Sequence, residues 1–444
     1  MPKKRKLAPP SFAGTLLPIG HVIEQPRVVG PNFKVKACLD GDAAASEVVL
    51  ATDDRTGEDY VIKAELLGAA NTQVYHDRNV LDWLLRGRGQ RECPLEPAWK
   101  PALTGLPALH KCCASRLIMH NRVDGATGTV LKMRMFAMEV LGPSLERALR
   151  ECPQGLPPCA VRVVGTQLLD ALEHIHSNGY LHCDIKPANF LLKDGGVAVV
   201  DFGIAKKYVE TIYRKPAERD LPGPKYRHSN LPGTGEGTSE WKSTFAERCD
   251  PLGRRDDLEA LGFVLLKLSC GALPWEGDAP AGAAPPPVKS KAEEAKDLKA
   301  RLAKKAVPAA KLCGGIADAA LRKAVLTMLS EARGMSPDAK PGYTGLRKLL
   351  KGSASDGKAG EAELRKLEAI CSGSGGGAAA PAPRRRRSSS SAAAAGESPP
   401  KRKKTARGGK HTCHPHHTSI SRDASERSLC VCSSGEEASV GRGG

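Results

Sequence analysis

The sequence predicts an α+β chain, a small strand-rich part followed by a larger helical part, with low-complexity tails. Three observations carry this. Two short apolar runs, Val48-Val49-Leu50 and Tyr60-Val61-Ile62-Lys63, flank the turn composition Asp53-Asp54-Arg55-Thr56-Gly57, which reads as an antiparallel hairpin. From residue 159 onward the apolar residues recur at helical spacing. Past Gly352 the composition shifts to Gly, Ser, Arg and Lys, too polar to bury a core.

In chain order, strands begin near Phe33, and Lys63 falls on the second strand of the hairpin. Residues 72–86, with Val74, Val80, Leu81, Leu84 and Leu85, fit an amphipathic helix that carries Asp77. Residues 132–140 read as a strand, and Leu141-Gly142-Pro143-Ser144 as a turn into a helix at Leu145, with Ser144 a serviceable cap or Pro143 a first-turn residue. Residues 159–178 form a helix through Val161, Val164, Leu168, Leu169, Leu172 and Ile175. The long Lys-, Arg-, Pro- and Gly-rich segment from 204 to Glu240 reads as a cationic loop facing a substrate. Residues 257–268 form a largely buried helix ended by Gly271. Residues 277–293 are an Ala/Pro-rich loop, and helical segments around Leu298, Leu302, Leu321, Val325, Leu329 and Leu346 complete the helical part.

The chain has 444 residues and a formal charge of +18, much of it in the tails. That balance favours nuclear, nucleic-acid-bound or acidic surroundings and speaks to partners rather than fold. Lys3-Lys4-Arg5-Lys6, repeated in kind at Pro400-Lys401-Arg402-Lys403-Lys404, reads as a nuclear import signal or as a solvated basic tail. The tails lack interleaved aromatics, so nucleic-acid contact would be nonspecific and through phosphate. The 14 cysteines are scattered, with no secretory leader and no apolar run long enough to span a bilayer, which points to reduced thiols in a soluble protein without a membrane. His411, Cys413, His414, His416, His417, Cys430 and Cys432 match no standard four-ligand zinc spacing.

The chemistry concentrates in His182-Cys183-Asp184-Ile185-Lys186-Pro187-Ala188-Asn189-Phe190-Leu191-Leu192, followed by Asp201-Phe202-Gly203 at the end of an apolar run. An acid, a lysine two residues on, an amide five residues from the acid and a second acid are what phosphoryl transfer needs: a carboxylate for the hydroxyl proton, a cation for the phosphate, and oxygen ligands for magnesium. A glycine-rich phosphate loop is incomplete. Before Val48 stand Gly41, Asp42, Ala43, Ala44, Ala45, Ser46 and Glu47, so only the first of three glycines is present. Side chains at Ala43 and Ser46 restrict the backbone there, and Asp42 and Glu47 place negative charge where a polyphosphate would approach. His174, His176 and His182 read as packed or surface residues rather than bases or ligands.

These motifs resemble the casein-kinase-one group of protein kinases, and most of all a vaccinia-related kinase. The resemblance rests on Val61-Ile62-Lys63, Met138-Glu139-Val140-Leu141-Gly142-Pro143-Ser144-Leu145, the segment from His182, Asp201-Phe202-Gly203, Arg254-Arg255-Asp256-Asp257-Leu258-Glu259 and Leu273-Pro274-Trp275. It implies a bilobal protein-kinase fold: basic tail 1–20, kinase domain 21–355 (N-lobe to 138, hinge 139–143, C-lobe 144–355) and disordered tail 356–444. It further implies a monomeric serine/threonine kinase using ATP with Mg2+ or Mn2+ on protein hydroxyls of nuclear or chromatin substrates. Asp184 would be the base, with Lys186 and Asn189 beside it. Asn189 and Asp201 would hold the metal, and Lys63, paired with Asp77, the α/β-phosphates. Gly41, Val48, Met138, Glu139, Leu141 and Leu191 would surround the nucleotide, and Asp257 would hold the catalytic-loop backbone. Gly237-Thr238 with Trp241 and Ser243 stands where other kinases close the activation segment. Arg219, Lys225, Arg227, Arg254 and Arg255 would attract acidic or phosphorylated sites or serve solubility. The incomplete loop and Asp77 in place of the usual glutamate leave two readings, an active enzyme with a weakened clamp or a pseudokinase acting as a nuclear binding or scaffold protein.

Overall fold

A computed structural model describes residues 15–24, 31–42, 46–68, 73–86, 105–113, 116–212, 225–228, 231, 237–276 and 291–373. The N-terminal part is built on one antiparallel sheet from β1 (Val22–Ile23), β2 (Phe33–Asp42), β3 (Ser46–Asp53), β4 (Asp59–Leu66), β5 (Ile118–Val123) and β6 (Val130–Glu139), in the order β1-β2-β3-β4-β6-β5. The expected hairpin is β3–β4. Its turn closes because Asp53 N–H donates to Glu58 O and Gly57 N–H to Asp53 O, both at 2.9 Å, with Gly57 at φ 69°.

Register decides what this sheet offers. Val48 lies opposite Lys63, Lys63 opposite Phe136, and Val61 opposite Met138. Since side chains alternate across a strand, Val48, Val61, Lys63, Phe136 and Met138 share one face. The other face carries Val49, Ala51, Ile62, Ala64, Met133 and Met135, all buried in the core. Glu47 lies on that second face too. It is buried, and its carboxylate accepts Leu16 N–H at 2.5 Å and Leu17 N–H at 2.8 Å. Its charge therefore points away from any phosphate on the Lys63 face, which corrects the expectation of repulsion there. The contact also brings Leu16 and Leu17 into the core, so folded structure starts ahead of the expected boundary at 21.

Helix α1 (Gln73–Leu85) packs against the face that holds Lys63. Glu65 on β4 fixes where it starts, accepting Gln73 N–H at 2.9 Å and Val74 N–H at 3.1 Å, and Arg134 pairs with the same carboxylate. Two of the unpaired donors of the first turn are satisfied, and a negative charge meets the positive end of the helix dipole.

The C-terminal part is mainly helical. It contains α2 (Leu145–Glu151), α3 (Pro158–Ser177), α4 (Thr244–Glu247), α5 (Arg254–Cys270), α6 (Lys291–Lys305), α7 (Ala309–Leu312), α8 (Ala319–Gly334), α9 (Tyr343–Leu350) and α10 (Ala354–Gly373). Between α3 and α4 run β7 (Tyr180–Leu181), β8 (Phe190–Lys193), β9 (Gly196–Val199), β10 (Lys206–Lys207), β11 (Val209–Ile212) and β12 (Lys225–His228). β8 pairs with β9, β7 with β10 and β11 with β12, so part of the segment expected to be loop is a hairpin. Ser144 caps α2 as expected, accepting Arg147 N–H at 3.2 Å. Helix α5 is buried at every residue from Arg254 to Leu266 and is the centre around which α3 and α8 pack. It ends at Gly271, φ 76°, where a Cβ would stand 2.0 Å from Pro153 O.

The expected C-terminal boundary at 355 falls inside α10. Ser353 and Asp356 cap this helix reciprocally, each accepting the other's backbone N–H, at 3.2 and 2.9 Å. Gly360, Leu364, Leu367 and Cys371 form its buried stripe, packed mainly on α3. A Cβ at Gly360 would stand 2.4 Å from Cys159 O, so glycine permits the close approach. Leu364→Ala is expected to cost about 2–5 kcal/mol of stability, and a chain ending at 355 to melt well below one ending at 373. Equal denaturation midpoints for the two chains would contradict this packing. The nuclear-type clusters and the His/Cys-rich stretch lie outside the described residues.

Candidate active site

Lys63 Nζ lies 2.6 Å from Asp77 Oδ2 on α1 and 2.6 Å from Asp201 Oδ1 after β9. Asp77 is almost fully buried, and its second oxygen accepts Phe202 N–H at 2.9 Å. The shorter aspartate thus reaches the lysine and also binds the backbone after Asp201. Burial works against a charge on Lys63, but the Asp77 and Asp201 carboxylates outweigh it and push its pKa up. Asp201 is likewise disfavoured by burial, yet Lys63 holds its carboxyl below the usual range.

Asp184 is held from three sides. Lys186 Nζ is 2.8 Å from Oδ2, Thr238 donates its hydroxyl to Oδ1 at 2.9 Å and its N–H at 3.1 Å, and Asn189 Nδ2 donates to Oδ2 at 3.1 Å. Lys186 Nζ also donates to Thr238 Oγ1 at 2.9 Å, closing a triangle of base, cation and alcohol. Asn189 follows from a single 3-10 turn, Pro187–Asn189, whose amide additionally donates to Asp184 O at 2.9 Å.

Below this, Asp257 of α5 holds the loop that carries the acid. It is almost fully buried, accepting His182 N–H at 2.7 Å and Cys183 N–H at 2.9 Å, while His176 Nε2 lies 2.9 Å away. Cys183 and Asp201 both have φ in the left-handed region, 67° and 66°. Such conformations are unfavourable for non-glycine residues and persist where their surroundings fix them, here Asp257 for Cys183 and the Lys63 pair for Asp201. His182 is a packed residue, as expected, with its ring 5.1 Å from that of the buried Phe202.

Around the Lys63 face, Val48, Met138 and Leu191 are apolar yet only half buried, as side chains lining an open cleft are. Glu139 ends β6, with its N–H on Ala108 O at 2.8 Å and its carboxylate 2.9 Å from Lys193 Nζ. Leu141 follows on the connection into α2, which Gly142 N–H to Leu192 O and Leu192 N–H to Pro143 O, both 2.9 Å, tie to β8. Gly41 is paired with Glu47 in the β2–β3 hairpin, while Ala43, Ala44 and Ala45 lie outside the described residues.

The residues present suit a magnesium ion. The amide nitrogen of Asn189 is engaged on Asp184, which turns its carbonyl oxygen the other way, and Val200 N–H donates to Asn189 O at 3.0 Å, setting Asn189 beside Asp201. One carboxylate and one amide oxygen are hard donors, and magnesium completes its shell with phosphate oxygens and water.

A part-buried lysine bridging a helix acid and a second acid, beside a third acid with its own lysine and amide, is a set of groups able to carry phosphoryl transfer. Residues 125–307 match the family model described as Protein kinase domain, and a protein kinase domain is present in this chain. That span begins after Val48, Lys63 and Asp77, so their part in the site rests on geometry.

Two expected cations are placed elsewhere. Arg254 donates to Ala339 O at 3.1 Å and to Asp338 O at 2.8 Å, and Arg255 donates to Met335 O at 2.8 Å while stacking 3.5 Å over Phe245. Both are buried and brace the α8–α9 connection and α4 rather than face a substrate. The side chains of Arg219, Lys225 and Arg227 lie outside the described residues. The sequence places Thr238 only at the close of the activation segment and singles out nothing at Glu65, because neither spacing nor composition shows which carboxylate or N–H a distant residue reaches.

Burial alone would raise the Asp257 pKa, but the His176 hydrogen bond and charge with the His182 N–H hold it below the ordinary 3.8. A depressed acid contributes fully above its unfolded value and loses that contribution as pH falls through the depressed one. Asp257→Asn is expected to cost about 3–5 kcal/mol at pH 7 and to flatten the loss of stability below pH ~4. Denaturant melts from pH 3 to 7 check both.

Proposed function

We propose that this protein is a serine/threonine kinase of the casein-kinase-one group, closest to the vaccinia-related branch, that moves the γ-phosphate of MgATP to hydroxyls of nuclear or chromatin proteins. The observation that supports it most is the Asp184–Thr238–Lys186 triangle. An aliphatic alcohol already lies within hydrogen-bond reach of both the carboxylate and the ammonium group. In the reaction a substrate hydroxyl takes that place. Asp184 accepts its proton, Lys186 neutralises the γ-phosphate, and Lys63 contacts the α/β-phosphates. Asn189 and Asp201 hold the metal, and Val48, Met138, Glu139, Leu141 and Leu191 surround the base.

The loop at 41–48 lacks two of three glycines, so nucleotide clamping is weak while every residue type that the chemical step needs is retained. Ala43→Gly with Ser46→Gly is expected to lower the ATP KM by about 3–10-fold with little change in kcat, the relief expected of a freer backbone. Full-length protein assayed with Ser/Thr peptides should turn over, and Asp184→Asn should lower kcat by about 100-fold or more, the range for loss of a general base. Equal incorporation by the two proteins would leave the pseudokinase scaffold as the reading. The basic clusters at 3–6 and 401–404 support nuclear location. A fluorescent fusion lacking both should leave the nucleus.

A further inference from the structure

Away from the phosphoryl-transfer site, the 3-10 turn Lys111–Cys113 brings a thiol, an imidazole and a carboxylate into line. His110 Nδ1 accepts Cys112 N–H at 3.2 Å and lies 2.9 Å from Cys112 Sγ. Because Nδ1 accepts, the ring proton is on Nε2, which faces Asp53 Oδ2 at 3.2 Å. Asp53 is fully buried and its other oxygen takes Arg55 N–H at 2.8 Å. Phe33 and Tyr60 pack edge-on against the imidazole, with ring centroids 5.3 and 4.6 Å away, and fix its plane. Cys112 itself is only partly buried. A carboxylate orienting a histidine that faces a thiol is the arrangement that activates nucleophilic cysteines.

We propose that Cys112 is a peroxide-reactive thiol and that its oxidation to a sulfenic acid is a modification site of this protein. His110 takes the thiol proton, and the thiolate sulfur attacks one oxygen of hydrogen peroxide. The S–O bond forms as the O–O bond breaks, and the leaving hydroxide takes the proton back from the His110 imidazolium and departs as water. Sulfur loses two electrons and the peroxide gains them.

The surrounding charges agree. The hydrogen bond to Cys112 raises the His110 pKa, and Asp53 adds to this against burial. The Tyr60 hydroxyl is pushed up to about 12, by burial first and then by Glu58, Asp53 and Cys112, so it stays neutral. Cys113, with Sγ 3.5 Å from Cys112 Sγ, is raised by its hydrogen bond to Cys112 and by burial, although Arg78 opposes this, so it stays a thiol and Cys112 is the reacting group. The same turn braces the phosphoryl-transfer site. Cys113 O accepts Arg78 Nε of α1 at 2.7 Å, and Cys113 Sγ accepts Ala137 N–H, one residue before Met138, at 3.2 Å. Oxidation at Cys112 therefore lowers turnover, a consequence that rests on the kinase reading, whereas the thiol chemistry does not.

The test treats the full chain with hydrogen peroxide and dimedone and maps adducts by peptide mass spectrometry, with the exposed Cys38 and Cys249 as internal references. Cys112 should react about tenfold faster than either reference at pH 7, with a rate that levels off below the free-thiol pKa. His110→Gln should reduce it to the reference rate. A Cys112 rate no greater than that of Cys249 in the unmodified protein, or one that rises with pH as theirs does, would overturn the proposal even if the variant failed to fold. Adduct formation without loss of turnover would leave the site standing and remove only its link to the kinase site.

Discussion

The arrangement depends on one lysine held between two acids. Lys63 on the central strand, Asp77 on α1 and Asp201 after β9 come from three elements, and their carboxylates meet one ammonium group at 2.6 Å each. Asp77 is buried and Lys63 largely so, and neither charge would be tolerated there unpaired, since it would lose its hydration without compensation. Pairing them fixes the position of α1 against the sheet and orients the segment that bears the metal-type acid. Asp77 makes this tighter by binding Phe202 N–H as well. A glutamate would have more reach and less definition. The short side chain is a constraint met by bringing α1 close, which the anchoring of its first turn on Glu65 permits.

A second buried acid does the corresponding work in the helical part. Asp257 projects from the most deeply buried helix and binds consecutive backbone N–H groups at 182 and 183. The loop carrying Asp184 is thereby tied to the core in a conformation that Cys183 would not adopt freely. Under the proposed function, holding Asp184 on a strained turn above a rigid helix keeps it positioned without a large rearrangement during reaction.

Much of this was legible in the sequence because local rules sufficed. The hairpin followed from two short apolar runs flanking the turn composition from Asp53 to Gly57, the Ser144 cap from a turn ahead of a helix, and the Lys63–Asp77 pair from a strand and a helix face. What escaped was set by partners distant in the chain. Glu47 looked like a phosphate-repelling charge, but one step of strand register carries it to the opposite face, where Leu16 and Leu17 bind it. Arg254 and Arg255 read as surface cations, yet both are buried and backbone carbonyls of the α8–α9 connection take their donors. Helix α10 was hidden because its stripe of Gly360, Leu364, Leu367 and Cys371 is thin and follows a change to polar composition, and it is chiefly packing on α3 that makes it worth burying. Gly237-Thr238 stood out as the close of the activation segment, but nothing local showed that Thr238 reaches Asp184.

Under the proposed function, the Lys63 bridge makes a working nucleotide site even though the preceding loop lacks two glycines. Calorimetric titration of MgATP into the full chain, with Lys63→Met, Asp77→Asn and the double variant alongside, tests this. Saturable binding is expected of the unaltered protein, weakened at least tenfold by either change, with the double variant no worse than the weaker single one, because both remove the same interaction. Absence of binding at millimolar MgATP in a folded protein, or additive losses in the double variant, would contradict it.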